Sequence, residues 1–448
     1  MKVLQILFIC ILSLMIVVPV FTLTTEEGAV SEIDNRTLTD LSRESDDYSD
    51  MLDSYIQDRI GLRTEMITAF TTLNDVLFSE MIHPTYTYGE EGYVFFDYTD
   101  EIVDQEFIES FCQYLRMAQD YLETRGIPFL YCLNPAKTTV YARYLSDGYT
   151  YENKFNTAML EALERYGVNY IENVSLLTEK SMDEQVYNVK YDAGHWNDLG
   201  CYYGTNHLLS AVSSYFPAVT TLSMSDFDIG TKLETTLPVS RFAIHEEVPY
   251  FTNTLLSQVT YLTDAYFDLQ LNPSYRNFVY AVYSDSTLPD VLFFHGSYYN
   301  GERTKFYQTS FHESIGIHNY ENFLDLDYYV NIFEPDMVLL ETAEYATTRG
   351  YFSIETLNSK ILNPLYETVQ ELPHQSYALM ELDPLIFSEE GSALTSAEFV
   401  VDLDIQYGYV LIDDKTFDLQ IADGVASFTL KTENFSDTAQ IELFTTRE

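Results

Sequence analysis

Apolar and polar positions divide the chain into an apolar leader, a central region of alternating helix and strand patterns, and a C-terminal region of short strands. In the centre, an amphipathic segment over residues 100–126 precedes the apolar run IPFLYCL at residues 127–133. Apolar spacing of three and four residues indicates a helix, and a short unbroken apolar run indicates a buried strand. The repeated alternation predicts an α/β domain with a parallel sheet covered on both faces.

The same alternation continues along the central region. A second helix is predicted over residues 153–167, and strands are predicted over residues 168–173, 288–294 and 335–342. Both predicted helices end at a glycine, a common C-terminal cap. Because functional groups of such sheets gather at the carboxyl ends of the strands, we expect the site at that edge, within a domain over residues 86–362.

The N-terminus carries Lys2 and then an almost unbroken apolar run from Val3 to Leu23. A run of about 21 residues can cross a bilayer as a helix, and it ends without a clear signal-cleavage site. We therefore expect residues 1–24 to form a membrane anchor, with a cleaved signal as the alternative. The charge asymmetry around the run places the rest of the chain on the extracytoplasmic face of the cell membrane, or outside the cell if the leader is cleaved.

Two further segments flank the central domain. Residues 25–85 read as an acidic linker and a helical lead-in, whose helical spacing is interrupted at Gly61, and a strand pair follows at residues 86–96. Residues 363–448 alternate apolar and polar positions with turn residues between them, which predicts a small antiparallel β domain. A passive β module is the default interpretation of that domain, and glycan binding is the alternative.

Charge and cysteine content restrict the possible functions. The 448 residues include 70 acidic and 23 basic ones, for a formal charge of −47, which excludes nucleic acid as a partner. Solubility explains this charge, and an acidic groove for a cationic ligand is the alternative. Outside the leader the cysteines are Cys112, Cys132 and Cys201, whose spacing fits no zinc site. We expect isolated buried thiols, with one disulfide as the alternative, and neither a metal nor a cofactor.

Candidate chemistry lies in the stretch YDAGHWNDLG at residues 191–200, which contains the only tryptophan of the chain. Asp192 and His195 are three positions apart, a spacing that lets a carboxylate orient an imidazole as a general base. A nucleophile is offered by Ser297, because a predicted strand leads directly into the turn HGSYYNG that contains it. A serine at a strand's carboxyl end has an exposed hydroxyl and nearby N–H groups for an oxyanion.

Together these motifs resemble the SGNH hydrolase-like superfamily, in the permuted order of the DHHW and alginate O-acetyltransferase-like proteins, where the Asp/His block precedes the serine. DAGHWNDLG looks like their Asp/His block, and HGSYYNG takes the place of their serine block. Four other stretches are similar to further motifs of these proteins and follow in the expected order: residues 32–63, 86–96, 133–145 and 333–345. The resemblance covers roughly residues 30–350 and implies a three-layer α/β/α, flavodoxin-like fold.

The resemblance also implies an activity. It suggests an extracytoplasmic O-acetyltransferase that modifies a cell-surface polysaccharide or cell-wall glycan through an acyl-serine, with Ser297 as nucleophile, His195 as base and Asp192 as the orienting acid. The acetyl group would come from a membrane-bound O-acyltransferase. A carbohydrate acetylesterase with the same triad and a non-catalytic, anchored glycan-binding protein remain alternatives.

The motifs depart from the family pattern in ways that affect the site. Several relatives have one residue between acid and base, whereas this chain has two, so Asp198 is a second candidate for the acid. His295 and Gly296 stand where an aspartate commonly precedes the serine. The usual oxyanion block is not recognisable, and the candidates for oxyanion or substrate contacts are Asn300, Asn134, Lys137, Trp196 and Asn197.

Overall fold

The computed structural model describes residues 2–26, 28–31, 33, 38–41, 48–96, 103–149, 151–238, 240–271 and 277–445. Within the first motif of the family resemblance, Glu32 and Arg36 lie outside the described residues. The first residues of the helix predicted from residue 100 lie outside them as well.

Three helices form the N-terminal part of the described chain: α1 (Lys2–Phe21), α2 (Tyr48–Arg59) and α3 (Arg63–Phe78). α2 and α3 lie within the segment predicted as a helical lead-in, and they are separated at the expected Gly61. The predicted membrane anchor is not supported, because no helix in the described part of the chain combines the length and the hydropathy that a membrane span requires.

The central domain begins with a hairpin and continues with alternating elements. In chain order they are β1 (Tyr86–Tyr88), β2 (Val94–Phe96), α4 (Gln105–Thr124), β3 (Phe129–Asn134), α5 (Lys137–Val140), α6 (Lys154–Tyr166), β4 (Tyr170–Glu172), α7 (Val174–Lys180), α8 (Asp198–Val212), β5 (Phe227–Thr236), β6 (Ala243–Asn253), β7 (Val259–Tyr261), β8 (Asn277–Tyr283), β9 (Val291–Phe294), β10 (Glu313–His318), α9 (Leu326–Phe333), β11 (Met337–Ala343), α10 (Ile354–Ser359) and α11 (Tyr366–Val369).

The main sheet has the strand order β4-β3-β11-β9-β10-β8-β7 within the described residues. The five strands from β4 to β10 are parallel, with registers such as Val338 opposite Phe129 and Ser314 opposite Val291. β3, β9 and β11 are completely buried and mostly apolar, as expected for strands covered on both faces. The mixed α/β architecture predicted from the sequence is therefore confirmed.

The prediction of an entirely parallel sheet is wrong at one edge. β8 pairs antiparallel with β10, and β7 pairs antiparallel with β8. An antiparallel strand can join the edge of a sheet without the long crossover that a parallel strand requires, so antiparallel strands are often added there. No strand was predicted for this segment, and none was predicted for the long antiparallel hairpin of β5 and β6.

The C-terminal strands form two antiparallel sheets. They are β12 (His374–Ala378), β13 (Leu385–Phe387), β14 (Leu394–Val400), β15 (Ile405–Ile412), β16 (Lys415–Asp418), β17 (Gln420–Ala422), β18 (Val425–Lys431) and β19 (Gln440–Thr445). Their orders are β12-β19-β15-β16 and β13-β14-β18-β17, and side chains from both sheets share one apolar core. The predicted antiparallel C-terminal region is confirmed.

A buried polar contact joins this region to the central domain. Asp418 accepts hydrogen bonds from Tyr121 at 2.6 Å and from Arg125 at 3.0 Å, both near the end of α4. The Asn331 side chain of α9 donates to the Asp418 carbonyl at 2.7 Å. Because Asp418 is 4 % exposed, these bonds replace water around its carboxylate and fix the two regions to each other.

Candidate active site

Ser297 lies at the carboxyl end of β9, at the start of a short 3-10 turn, Ser297–Tyr299. Gly296 precedes it, and a Cβ atom there would lie 2.4 Å from the Tyr320 ring, so a larger residue would displace either the turn or the ring. The Gly296 N–H donates to Glu341 at 2.8 Å. The turn is therefore held from the neighbouring strand β11, and its serine points away from the sheet core.

The loop before α8 carries the acid and the base. Asp192 has a positive φ of 55°, a conformation that Asp tolerates better than most residues, and its Oδ1 accepts the His195 N–H at 3.1 Å. The side chain of Asn197 caps α8 by accepting the Gly200 N–H at 3.0 Å. These local hydrogen bonds explain why acid and base can be three residues apart and still meet.

The structure brings the three predicted catalytic residues together, although Ser297 is 102 residues from His195. His195 Nδ1 lies 2.6 Å from Asp192 Oδ1, and His195 Nε2 lies 2.6 Å from Ser297 Oγ. A carboxylate only accepts hydrogen bonds, so Nδ1 carries the proton and Nε2 is left to accept the serine proton. This is the hydrogen-bond order of a serine nucleophile, its base and an orienting acid.

Arg303 is a fourth member of the site that the sequence analysis missed. Its Nη2 lies 2.9 Å from Asp192 Oδ2 and 3.2 Å from the Trp196 carbonyl. Burial opposes the charge of Asp192, but His195 and Arg303 outweigh it and hold the pKa of Asp192 below its ordinary value. The acid therefore stays ionised. Nothing in the local sequence marks Arg303, which lies six positions after the serine.

The segment before Asp192 is fixed by two residues from distant elements. Glu246 of β6 accepts three consecutive backbone N–H groups, those of residues 189, 190 and 191, at 2.7, 2.8 and 2.6 Å. Lys137 donates to the Val189 carbonyl at 3.0 Å and to the Val94 carbonyl at 2.7 Å. Burial lowers the pKa of Lys137 to about 7. Lys137 thus supports the loop, and the structure gives it no contact with the triad.

Two groups remain available to bind an oxyanion. The Ser297 N–H has no hydrogen-bond partner within the described residues. The Tyr345 hydroxyl, just after β11, lies 3.2 Å from His195 Nε2. The single lone pair of Nε2 already faces Ser297, and the tyrosine O–H interacts with Ser297 as well, so it lies where it could turn to donate to an oxygen bound between them. Tyr345 lies within a stretch that resembles the family, but the sequence alone did not single it out.

The predicted oxyanion role of Asn134 is not supported, and that of Asn300 stays a prediction. Asn134 is fully buried, donates to Glu341 at 2.9 Å and accepts from Asn173 at 2.8 Å. Asn300 accepts the Gly301 N–H at 2.7 Å and a short bond from Asn277. The Asn134 amide is thus engaged on both sides, whereas the bonds of Asn300 involve only its oxygen and leave its N–H groups for a ligand.

Trp196 and Asn197 are also structural in this arrangement. Trp196 is fully buried, donates to the Tyr298 carbonyl at 3.0 Å and packs edge-on against Tyr298 and Tyr299. Asn197 donates to the Gln185 carbonyl at 2.7 Å, in addition to capping α8. The rare tryptophan of the loop therefore supports the nucleophile turn from behind, and the predicted substrate contact is not supported.

Asp198 and His295 lie near the triad without joining it. Asp198 accepts from Lys305 at 2.6 Å and from the Phe251 N–H at 2.8 Å, so the alternative assignment of Asp198 as the acid is not supported. His295 is 3 % exposed and donates Nδ1–H to the Gly296 carbonyl at 2.9 Å. Burial lowers the pKa of His295 to about 3, so this histidine is neutral and structural.

Thiols and possible metal ligands lie elsewhere. Cys112, Cys132 and Cys201 are buried and free, as predicted. In the described part of the chain, one group of possible metal ligands is Asp290, His312 and Glu313, whose ligand atoms lie within 4.8 Å of one another. It flanks the amino ends of β9 and β10, at the opposite end of the strands from Ser297.

Comparison with known families supports the predicted resemblance. Residues 87–238 match the family model described as the SGNH hydrolase-like domain of the acetyltransferase AlgX. The match includes Asp192 and His195 and ends before Ser297. The resemblance to SGNH hydrolase-like proteins is therefore confirmed. No curated protein matches the chain significantly in sequence.

Several solved structures are similar at low sequence identity. PatB1 from Bacillus cereus, solved with a sulfonyl adduct, is 14 % identical with a TM-score of 0.47, covering 59 % of this chain and 98 % of its own. The O-acetyltransferase domain of Pseudomonas putida AlgJ is 15 % identical with a TM-score of 0.43, covering 62 % and 100 %. A DHHW family protein from Eubacterium siraeum is 15 % identical with a TM-score of 0.42, covering 63 % and 100 %.

Proposed function

We propose that the protein is an extracytoplasmic O-acetyltransferase that modifies a cell-surface polysaccharide or cell-wall glycan through an acyl-serine intermediate. The observation that carries the proposal is the continuous hydrogen-bonded series from Asp192 through His195 to Ser297, with 2.6 Å at each step. The proposal includes the three-layer, flavodoxin-like arrangement of the SGNH hydrolases for residues 86–362.

In the first half of the reaction, Ser297 is acylated. Ser297 Oγ attacks the carbonyl carbon of an acetyl ester while His195 Nε2 takes the hydroxyl proton. The negative charge moves to the carbonyl oxygen, where the Ser297 N–H and the Tyr345 hydroxyl donate to it. Collapse of this intermediate breaks the bond to the leaving group, which receives the proton from His195. Asp192 and Arg303 keep the transient imidazolium oriented and stabilised.

In the second half, a sugar hydroxyl takes the acetyl group. His195 removes the hydroxyl proton, the sugar oxygen attacks the acetyl-serine, and the proton returns to Ser297 Oγ as the ester bond to the serine breaks. The net result is transfer of one acetyl group, without a cofactor.

The donor would be a membrane-bound O-acyltransferase, as the family resemblance implies. The apolar leader supports an exported location, and the C-terminal sheets are proposed to bind the glycan.

Acylation of Ser297 can be tested with an activated acetyl ester and purified protein. We expect a burst of leaving group equal to the enzyme concentration, and an acetyl group on Ser297 by mass spectrometry. Ser297→Ala should abolish both, and His195→Ala should nearly do so, because a neutral hydroxyl without a base is a poor nucleophile. Full transfer activity in Ser297→Ala would contradict the proposal.

A carbohydrate acetylesterase is the second candidate, and the openness of the site favours it. The His195 side chain is 20 % exposed and Tyr345 is 39 % exposed, so water reaches the acyl-serine in this conformation. A competition between water and a glycan acceptor separates the two functions. For a transferase, adding acceptor should convert most of the acetyl-serine to acetylated glycan; unchanged release of acetate would favour the esterase.

A further inference from the structure

Glu341 is a buried carboxylate beside the nucleophile that the proposed reaction does not use. It lies on β11 and is fully buried. Its Oε2 accepts the Gly296 N–H at 2.8 Å, and its Oε1 accepts Asn134 Nδ2 at 2.9 Å. Within the described residues no lysine, arginine or histidine forms an ion pair with it. A carboxylate in such a place is costly, so its retention needs a physical reason.

A series of side-chain hydrogen bonds continues from Glu341 towards the surface. Asn134 Oδ1 accepts Asn173 Nδ2 at 2.8 Å, and Asn173 Oδ1 lies 2.8 Å from Nδ1 of the partly exposed His207. Because an ionised carboxylate can only accept, Asn134 must present its N–H to Glu341, and this choice fixes the orientation of each following amide. His207 must then carry its proton on Nδ1. We refer to Glu341, Asn134, Asn173 and His207 as the relay.

The other oxygen of Glu341 acts on the nucleophile turn. Gly296 immediately precedes Ser297, and its carbonyl accepts His295 Nδ1–H at 2.9 Å while its N–H is held by Glu341. Both polar groups of this residue are thus fixed, and the Tyr320 ring leaves no space for a side chain there. The direction of the Ser297 N–H and hydroxyl therefore depends on the bond to Glu341.

We propose that Glu341 is the positioning residue of the Ser297 turn, and that the relay couples the protonation of Glu341 to the tautomer of His207. The proposal rests on Ser297 as nucleophile. Protonated Glu341 would have to donate from one oxygen, yet both oxygens face N–H groups. In one outcome the protonated Glu341 releases the Gly296 N–H. In the other it donates to Asn134, and the side-chain amides of Asn134 and Asn173 both rotate by half a turn. Asn173 then donates to His207, whose Nδ1 becomes an acceptor.

Burial raises the pKa of Glu341 to about 7, so this change falls near neutral pH. The titratable side chains that face Glu341 are neutral in this range and belong to all the neighbouring elements: Cys132, Tyr298, Tyr299, Tyr320 and Tyr345. Glu172 faces His207, and burial lowers the pKa of His207. Near pH 7, Glu341 is therefore the group of this cluster whose protonation changes.

The test compares the acylation rate of Ser297 in the unmodified protein and in Glu341→Gln as the pH is lowered. At pH 8, Glu341→Gln should acylate about tenfold more slowly, because one hydrogen bond to the turn is weakened. Between about pH 8 and 6, the rate of the unmodified protein should fall by up to about tenfold more than that of Glu341→Gln, since Glu341 gains a proton over this range. Equal rates at pH 8, or an equal fall between pH 8 and 6, would overturn the positioning role.

A readout independent of activity tests the relay. Nitrogen-15 NMR of His207 at pH 8 should show Nδ1–H in the unmodified protein and Nε2–H in Glu341→Gln, because the glutamine amide presents N–H to Asn134. Glu172→Gln is the matched control, since it faces His207 without belonging to the relay; it should shift the titration of His207 and keep both tautomer and acylation rate. An unchanged tautomer in Glu341→Gln would overturn the relay even if acylation of Ser297 is established.

A second variant covers the case in which Glu341→Gln does not fold. His207→Ala, at a partly exposed position, removes the last donor of the relay and leaves the Gly296 bond in place. The loss of this donor should make the Glu341 carboxylate less stable, so the steep part of the pH–rate curve should move to higher pH. An unmoved curve would overturn the coupling. If Ser297→Ala retained full activity, the proposed function would fail, while the NMR result would still decide on the relay.

Discussion

Two buried carboxylates at the same edge of the sheet differ in what faces them. Asp192 in the loop before α8 has the His195 imidazole at 2.6 Å and the Arg303 cation at 2.9 Å, and these partners hold its pKa below the ordinary value. Glu341, in the floor beneath Ser297, receives only the neutral donors Gly296 and Asn134, and burial raises its pKa to about 7. Two carboxylates at one edge of the sheet therefore show opposite pKa shifts because their partners differ in charge and because Glu341 is the more deeply buried of the two.

This difference separates the roles of the two groups. A permanently ionised acid can stabilise the imidazolium that forms on His195, which is what the proposed reaction asks of Asp192. A carboxyl group that changes protonation near neutral pH suits the proposed control of the Ser297 turn by Glu341. The following variants test the contrast, from the largest expected effect to the smallest.

Asp192→Ala should lower kcat/KM for acetyl transfer by about 10³–10⁴-fold, because His195 loses both its tautomer control and the charge that stabilises its protonated form. Steady-state kinetics with an activated acetyl ester measures this loss. The acetylated residue should still be Ser297. A loss of less than tenfold would show that another group orients His195.

Asp198→Ala is the matched control for the choice of acid. Its carboxylate pairs with the buried Lys305 at 2.6 Å, so removing it leaves an unpaired buried charge and should destabilise the fold by about 3–5 kcal/mol. Denaturant unfolding measures this change. The folded fraction should keep kcat/KM within a factor of about three, and a loss as large as that of Asp192→Ala would contradict the assignment of Asp192.

The pH dependence of stability should have opposite signs at the two carboxylates. The raised pKa of Glu341 gives a contribution that is complete below pH 4.5 and is lost as pH rises to about 7, amounting to at most roughly 3 kcal/mol. The depressed pKa of Asp192 gives a contribution that is present above pH 3.8 and is lost below it. Urea unfolding of Glu341→Gln should therefore lack the fall between pH 4.5 and 7, while the acid-side loss remains.

Arg303→Lys should lower kcat/KM by about tenfold, far less than Asp192→Ala. A lysine keeps the charge near Asp192 but cannot also reach the Trp196 carbonyl with the planar geometry of the guanidinium, which costs about one hydrogen bond. Values of kcat/KM measured between pH 5 and 9 would show whether His195 is still oriented as the base. An Arg303→Lys variant as impaired as Asp192→Ala would mean that the guanidinium, rather than the carboxylate, dominates the site.

Much of this site could be predicted from the sequence because its signals are local. The Asp192 and His195 pair is set by three-residue spacing within one loop, and Ser297 follows directly from a recognisable apolar strand. Residues whose roles depend on distant partners gave no such signal. Arg303, Glu246 and Glu341 contact the site from other elements. In the sequence, an arginine or glutamate that contacts the site cannot be distinguished from one at the surface.

The sequence by itself determined the alternation of helices and strands, the antiparallel C-terminal region and the residues that meet as the candidate triad. These features follow from apolar periodicity and from the spacing of residues that are close in the sequence. Only the tertiary structure decided which acid pairs with His195, that β7 and β8 join the sheet antiparallel, and that Asn134 serves Glu341 rather than the oxyanion. Those choices depend on which charges and donors packing brings together, and packing joins residues such as Glu341 and Gly296 that are 45 positions apart.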